Sequence, residues 1–266
     1  MLALGFLVAG RAEAVTIDLG DVVAGGNGLG VPLPGNAGKT GIDPETGKLV
    51  TGINFGHVYE NGFRSVPGTT LVNGVFILKG ESQATVINSA GVTYAPLSGD
   101  GEGAAFDGIT KNREPGNPGP IVLGGKTYSA GVGIHGTAGV TFDLHALNDL
   151  YATKLNFFSA DFGKMNGVGN VRGYVLFSDG LSVIGQYVTN VLPSSDSGFE
   201  QIRLDVPSNA SYVTLMVGAG GDSITNDHGV FGDAALSTAA VPEPSSLVLI
   251  GMAGVSASFV RRRRTR

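Results

Sequence analysis

The second half of the chain alternates apolar and polar positions with a period of two. Val171, Gly173, Val175 and Phe177 alternate with Arg172, Tyr174 and Leu176, and Ser178-Asp179-Gly180 then turns the chain into LSVIGQY. Alternation broken by such a triplet predicts a β-hairpin. Ile202, Leu204 and Val206 alternate with Gln201, Arg203 and Asp205, the pattern of a strand with one wet face. Val213, Leu215 and Val217, ending at the glycines of 218–221, predict a further strand, and GVTFDL at 139–144 predicts one more. Strands separated by glycine, proline and aspartate turns predict an antiparallel sandwich.

The first half is less regular. TIDLGDVV, GVFILKG and TVINSAGVTY read as strands, whereas 24–51 and 98–120 are rich in glycine and proline and read as loops. The early strands are too few to close a core of their own. One sandwich over residues 15–238 with long loops is therefore expected rather than a separate N-terminal domain. Composition agrees, because 44 glycines suit turns and disfavour helices, where each costs about 1 kcal/mol against alanine.

Charge divides the body from the ends. Without residues 1–14 and 241–266 the chain has 11 basic and 20 acidic residues, a net charge of −9. An acidic body lacks the clustered Lys and Arg that displace counterions from phosphates, which excludes nucleic acid as a partner. The absence of cysteine excludes thiolate metal sites and disulfides. At the N-terminus, Leu2 to Val8 is a short apolar core and Ala12-Glu13-Ala14 an A-x-A cleavage pattern, so 1–14 reads as a partial signal peptide without its basic leader.

At the other end, Leu247 to Val260 is apolar or small. As a helix it spans about 21 Å, short of a hydrocarbon core of about 30 Å. The arginines after it would keep their side cytoplasmic and place the body outside. Pro242, Glu243 and Pro244, the apolar stretch, and Arg261, Arg262, Arg263 and Arg264 together resemble the PEP-CTERM sorting signal of Gram-negative bacteria that secrete exopolysaccharide. The resemblance implies transient membrane insertion through a short C-terminal hydrophobic helix, recognition and cleavage by an exosortase, and delivery to the cell surface or extracellular matrix.

Enzymatic motifs are thin. GVGIHG at 131–136 matches G-x-G-x-x-G, but a strand-like TAGVTFDL follows it where a nucleotide site needs a helix. The four histidines, His57, His135, His145 and His228, make no H-E-x-x-H, and no G-x-S-x-G is present. The chain is therefore read as non-enzymatic.

Residues 121–238 carry a second resemblance. Its landmarks are Lys126, Tyr128, Gly131, Gly133 and His135, the FSADFG stretch from Phe158 to Gly163, the FSDG hairpin, and DHGVFGDA from Asp227 to Ala234. In order and spacing these resemble the NPCBM module, a carbohydrate-binding domain. The resemblance implies an all-β, galactose-binding-like jelly-roll sandwich. Where that family commonly has tryptophan, this chain has Phe231. Sugar rings stack on aromatic faces while polar side chains bond their hydroxyls. A glycan is accordingly expected at the loop end carrying His135, Asp222, Asp227 and His228, with Phe231 either the stacking ring or part of the core. Asp222, Asp227 and Asp233 could ligate a structural calcium with carbonyls of the Gly25 to Gly30 loop, calcium accepting such mixed oxygen donors. The expected function is a lectin-like protein for exopolysaccharide or cell-surface sugar. A structural matrix or adhesion protein and, third, a hydrolase or hydrolase accessory are the alternatives.

Overall fold

The computed structural model describes residues 14–52, 57–58, 60–80, 82–106, 108–111, 120–165, 169–193, 198–222 and 227–238. Residues 1–13 of the segment read as a partial signal peptide, and the sorting segment with the C-terminal helix expected in it, lie outside them. In chain order the elements begin with β1 (Thr16–Asp18), α1 (Leu19–Val23), β2 (Gly41–Ile42), β3 (Leu49–Val50), β4 (His57–Val58), β5 (Gly62–Ser65) and β6 (Val72–Ile77). There follow β7 (Thr85–Val86), β8 (Thr93–Tyr94), β9 (Ala105–Phe106), β10 (Ile109–Lys111), β11 (Ile121–Leu123), β12 (Lys126–Tyr128), β13 (Gly131–His135) and β14 (Ala138–Asp143). The rest are α2 (Leu144–Tyr151), β15 (Phe157–Lys164), β16 (Arg172–Ser178), β17 (Val183–Val188), β18 (Phe199–Asp205), β19 (Tyr212–Gly218) and β20 (His228–Ser237).

Two antiparallel sheets form the sandwich. The first runs β18-β15-β20-β13-β10-β2-β3, with β1 also paired to β20; the second runs β17-β16-β19-β14-β6-β5. Their facing sides make one core, in which Val132, Ile134, Phe158, Phe162 and Phe231 of the first sheet meet Val75, Val140, Phe142, Val175, Leu215 and Val217 of the second. Each outer face is covered by a small hairpin. β7–β8 lies with a second cluster of Phe76, Leu78, Ile87, Val92, Tyr174, Leu176 and Met216, and β11–β12 with a third of Ile121, Leu123, Tyr128, Met165 and Val230. Burial on both faces explains why Val72–Ile77 reads as an almost unbroken apolar run rather than an alternation.

The expected all-β sandwich is the fold found. The β16–β17 hairpin turns where Ser178-Asp179-Gly180 predicts, with Asp179 Oδ1 accepting from Leu181 N and Ser182 N, both at 2.9 Å, and Gly180 at φ 91°. Besides the short strands β2, β3, β9 and β10 within the segments read as loops, two further segments differ from expectation. TIDLGDVV is a strand for three residues only, because Asp18 caps a short helix by accepting from Gly20 N at 2.8 Å. Asp143 likewise ends β14 by accepting from Ala146 N at 2.9 Å and starts α2, which the alternation did not predict. The loop-like 98–103 segment is anchored by buried Asp100, which accepts from Arg172 Nη1 at 2.9 Å, Gly220 N at 2.9 Å and the Tyr174 hydroxyl.

Candidate functional site

The first sheet's outer face becomes a site because a glycine-lined floor lets a hairpin sit against it. β11 and β12 join through Gly124 and Gly125, both at positive φ, the conformation of a two-residue hairpin turn. A Cβ added at Gly131 would lie 2.7 Å from Ile121 Cδ1, at Gly163 2.6 Å from Leu123 Cδ2, and at Gly232 2.8 Å from Tyr128 Cδ1. No side chain fits in those gaps. Gly131, Gly163 and Gly232 thus serve hairpin packing, and the close approach places Lys126 and Tyr128 over Asp161 of β15.

Beside the hairpin, β20 changes partner. Its residues 228–232 pair with β13 and its residues 235–237 with β1. At the changeover Asp233 adopts φ 46° and its N–H donates to Ala130 O at 2.9 Å, while the β15 register shifts between Ser159 and Asp161. A bulge of this kind opens a sheet and re-aims side chains. Here it opens a depression of about 430 Å³ whose polar lining includes Asp18, Lys126, Ser159, Asp161, Arg203 and Asp233.

Asp161 organises this depression. It is 2% exposed, yet its Oδ2 accepts from Lys126 Nζ at 2.7 Å and the Tyr128 hydroxyl at 2.8 Å, and its Oδ1 from Arg203 Nη2 at 3.1 Å. Burial alone would raise its carboxyl. The bonds from Lys126 and Tyr128 and the charges of Lys126 and Arg203 outweigh that and hold it below its ordinary value. Arg203 Nη1 also donates to Ala160 O and Ile202 O at 2.8 and 2.7 Å, and Lys126 Nζ lies 4.3 Å from the Tyr128 ring centroid. Both cations are fixed at their inner ends and partly exposed toward the depression. Asp233 and Asp18 behave oppositely. Partial burial raises both carboxyls, against the attraction of Lys126 for Asp233 and of two backbone N–H groups for Asp18.

Of the residues expected to form a sugar site at the loop end, His135, Asp222, Asp227 and His228 lie near one another, but Phe231 does not join them. His135 and His228 pair directly across β13 and β20, ring centroids 3.8 Å apart. Asp227 is completely buried beside Lys164, whereas Asp222 is exposed and accepts from Asn170 N at 3.1 Å. Phe231 is 0% exposed and packs on Phe162 at 4.8 Å between centroids. A stacking role for Phe231 is therefore corrected to a core role: alternation along β20 turns its ring inward. The calcium set is corrected too. Asp233 lies in the depression with Lys126 and Arg203 while Asp227 neighbours Lys164, and among the described residues no three His, Asp or Glu side chains could share a metal. The Gly25 to Gly30 loop is closed on Asp21, which accepts from Gly28 N, Gly30 N and Lys111 Nζ at 2.8, 3.1 and 2.9 Å. Pro242, Glu243, Pro244 and Arg261 to Arg264 lie outside the described residues. Sequence reasoning missed Asp161 and Arg203 as site residues, although Lys126, Tyr128 and the FSADFG stretch were landmarks.

Two family models match the chain: the NPCBM/NEW2 domain over residues 94–237 and the PEP-CTERM protein-sorting motif over residues 240–264. No curated protein matches it. Among solved structures, the chain is similar to the M60 catalytic domain with CBM51-1 and CBM51-2 of Clostridium perfringens ZmpB, at 26% identity and TM-score 0.37 over 45% of this chain and 12% of that one. It is similar to the CBM51-2 and INT domains of the same protein at 19% identity and TM-score 0.39, over 48% and 27% of the two chains. It is also similar to the CBM51 of Clostridium perfringens GH95 in complex with methyl-galactose, at 18% identity and TM-score 0.35, over 69% and 93%. The chain spans well under half the length of the first two.

Proposed function

Since the chain belongs to the NPCBM/NEW2 domain family and carries a PEP-CTERM protein-sorting motif, we propose that it is an exported, surface-sorted lectin-like protein that holds a glycan in the depression beside Asp161. The observation that carries this reading is the depression itself. Its volume of about 430 Å³ lies within the range of small-molecule sites, about 300–1,000 Å³. Its polar groups include both hydrogen-bond classes a sugar hydroxyl needs: ammonium and guanidinium donors at Lys126 and Arg203, carboxylate acceptors at Asp18 and Asp233. Because Asp161 already fixes the two donors, little side-chain freedom is lost on binding.

Binding without turnover is the better chemistry for this set. Asp161, held by Lys126, Tyr128 and Arg203, is committed to positioning those donors rather than to attack on a glycosidic bond. An exosortase reads the 240–264 segment, and the ligand is exopolysaccharide or cell-surface sugar.

Isothermal titration of the full chain with methyl-galactose and N-acetylglucosamine, extended by a glycan array, tests the reading. Binding weakened at least tenfold by Asp233→Ala and by Lys126→Ala, and unchanged by His145→Ala, supports it. Absence of binding to any sugar at millimolar concentration removes it, and release of reducing sugar would replace it by a hydrolase.

A further inference from the structure

Away from the depression, Lys164 at the end of β15 and Asp227 just before β20 are ionisable side chains that no described residue satisfies. Lys164 ends β15 directly opposite Gly229, and the ladder continues with Met165 N donating to His228 O at 2.8 Å. Asp227, two positions from Gly229, is thus the diagonal neighbour of Lys164 on the same face of the sheet. Diagonal positions of an antiparallel pair lie about 7–8 Å apart, within reach of a long side chain. No side chain at position 229 comes between them, because a Cβ there would lie 2.7 Å from Val217 Cγ2 of the facing sheet. That contact also shows that this face looks into the sandwich. Asp227 is 0% exposed and Lys164 7%. Among the described residues, neither Lys164 Nζ nor either carboxyl oxygen of Asp227 has a hydrogen-bond partner.

An unpartnered charge in such a place is costly, and groups there become neutral instead. Burial pushes Asp227 up to about 9, with the charge of Asp222 adding to it, Lys164 opposing and Glu102 adding. Burial pulls the Lys164 amine down, against the attraction of Asp227 and Asp222. Burial thus disfavours the charged form of both neighbours, in a site shielded from water.

We propose that Lys164 and Asp227 condense to an intramolecular isopeptide bond that staples β20 to β15. The Nζ lone pair attacks Asp227 Cγ and a C–N bond forms. The C–OH bond then breaks, and the hydroxyl leaves as water with a proton that came from nitrogen. Nothing is oxidised or reduced, and no co-reactant is needed. The product amide places one donor and one acceptor where two ionisable groups stood.

Tryptic digestion and mass spectrometry of the folded full chain read the bond directly. The expected result is loss of cleavage after Lys164 and a branched peptide joining Leu155–Arg172 to the peptide that begins at Leu204, lighter by one water, about 18 Da. In Lys164→Met, which keeps the length of the side chain and removes the amine, only linear peptides are expected. Recovery of linear Leu155–Lys164 from the folded wild-type protein overturns the proposal. So does a loss of water confined to the Asp227 peptide, the mark of cyclisation onto the following amide. The wild-type digest decides the matter even where a variant fails to fold.

Discussion

Asp161 converts two flexible surface cations into fixed donors, and its own titration reports on them. Its carboxyl stays ionised in the fold at a pH where the unfolded chain binds a proton. A depressed folded value contributes stability above the unfolded value of about 3.9, and that stability is lost as pH falls through the folded one. Asp161→Asn should therefore flatten the acid limb of a urea-unfolding profile below about pH 4. At neutral pH it should cost about 1–3 kcal/mol, because Lys126 and Arg203 lose a buried partner but remain open to water. Phe231 makes the complementary case. With its ring wholly buried on Phe162, Phe231→Ala should lower stability by about 3–5 kcal/mol in chemical denaturation; an unchanged midpoint with weakened sugar binding would return the ring to the site. Reading Phe231 as stacking ring or core could not be decided from its motif, since alternation assigns a face only once the neighbouring strands are known.

Elements with a clean period of two were legible: β16, β17, β18 and β19 form where their alternation predicts, each with its turn. The helices were not, because α1 and α2 have five and eight residues and are started by a single capping aspartate rather than a periodic face. The depression was illegible for a related reason. It arises where β20 passes from β13 to β1, partners about 100 and 220 residues away in the chain, and a bulge leaves no mark in composition. What the sequence did carry was its glycines, whose purpose needed the hairpin to be seen. Gly131→Ala should show that purpose. Its Cβ would lie 2.7 Å from Phe231 O, a backbone atom that cannot swing away, so thermal unfolding should shift by an amount equivalent to about 1–3 kcal/mol. Sugar affinity should fall with it, since Lys126 and Tyr128 ride on the displaced hairpin.

On the scale of the molecule, the family match starts at residue 94, but the sandwich does not. β6 pairs along β14 and contributes Val72, Val75, Phe76 and Ile77 to two cores, and β1 pairs with β20. A piece limited to 94–238 would expose the edge of β14 and lose Ile17, Leu19, Val22 and Val23 from the main core. It should therefore show no cooperative transition in calorimetry, whereas residues 14–238 should show one. The pairing of β1 with β20 also brings Val15 and Thr238 side by side: Val15 N donates to Thr238 Oγ1 and Thr238 N to Val15 O, both at 3.1 Å. Thr238 thus lies five residues beyond Asp233, about 17 Å along an extended strand. A pull applied at Thr238 would run along this short stretch of β20 and load its ladders with β1 and β15 in shear. The second sheet lies outside that line of pull, its strands being paired to one another and not to β20.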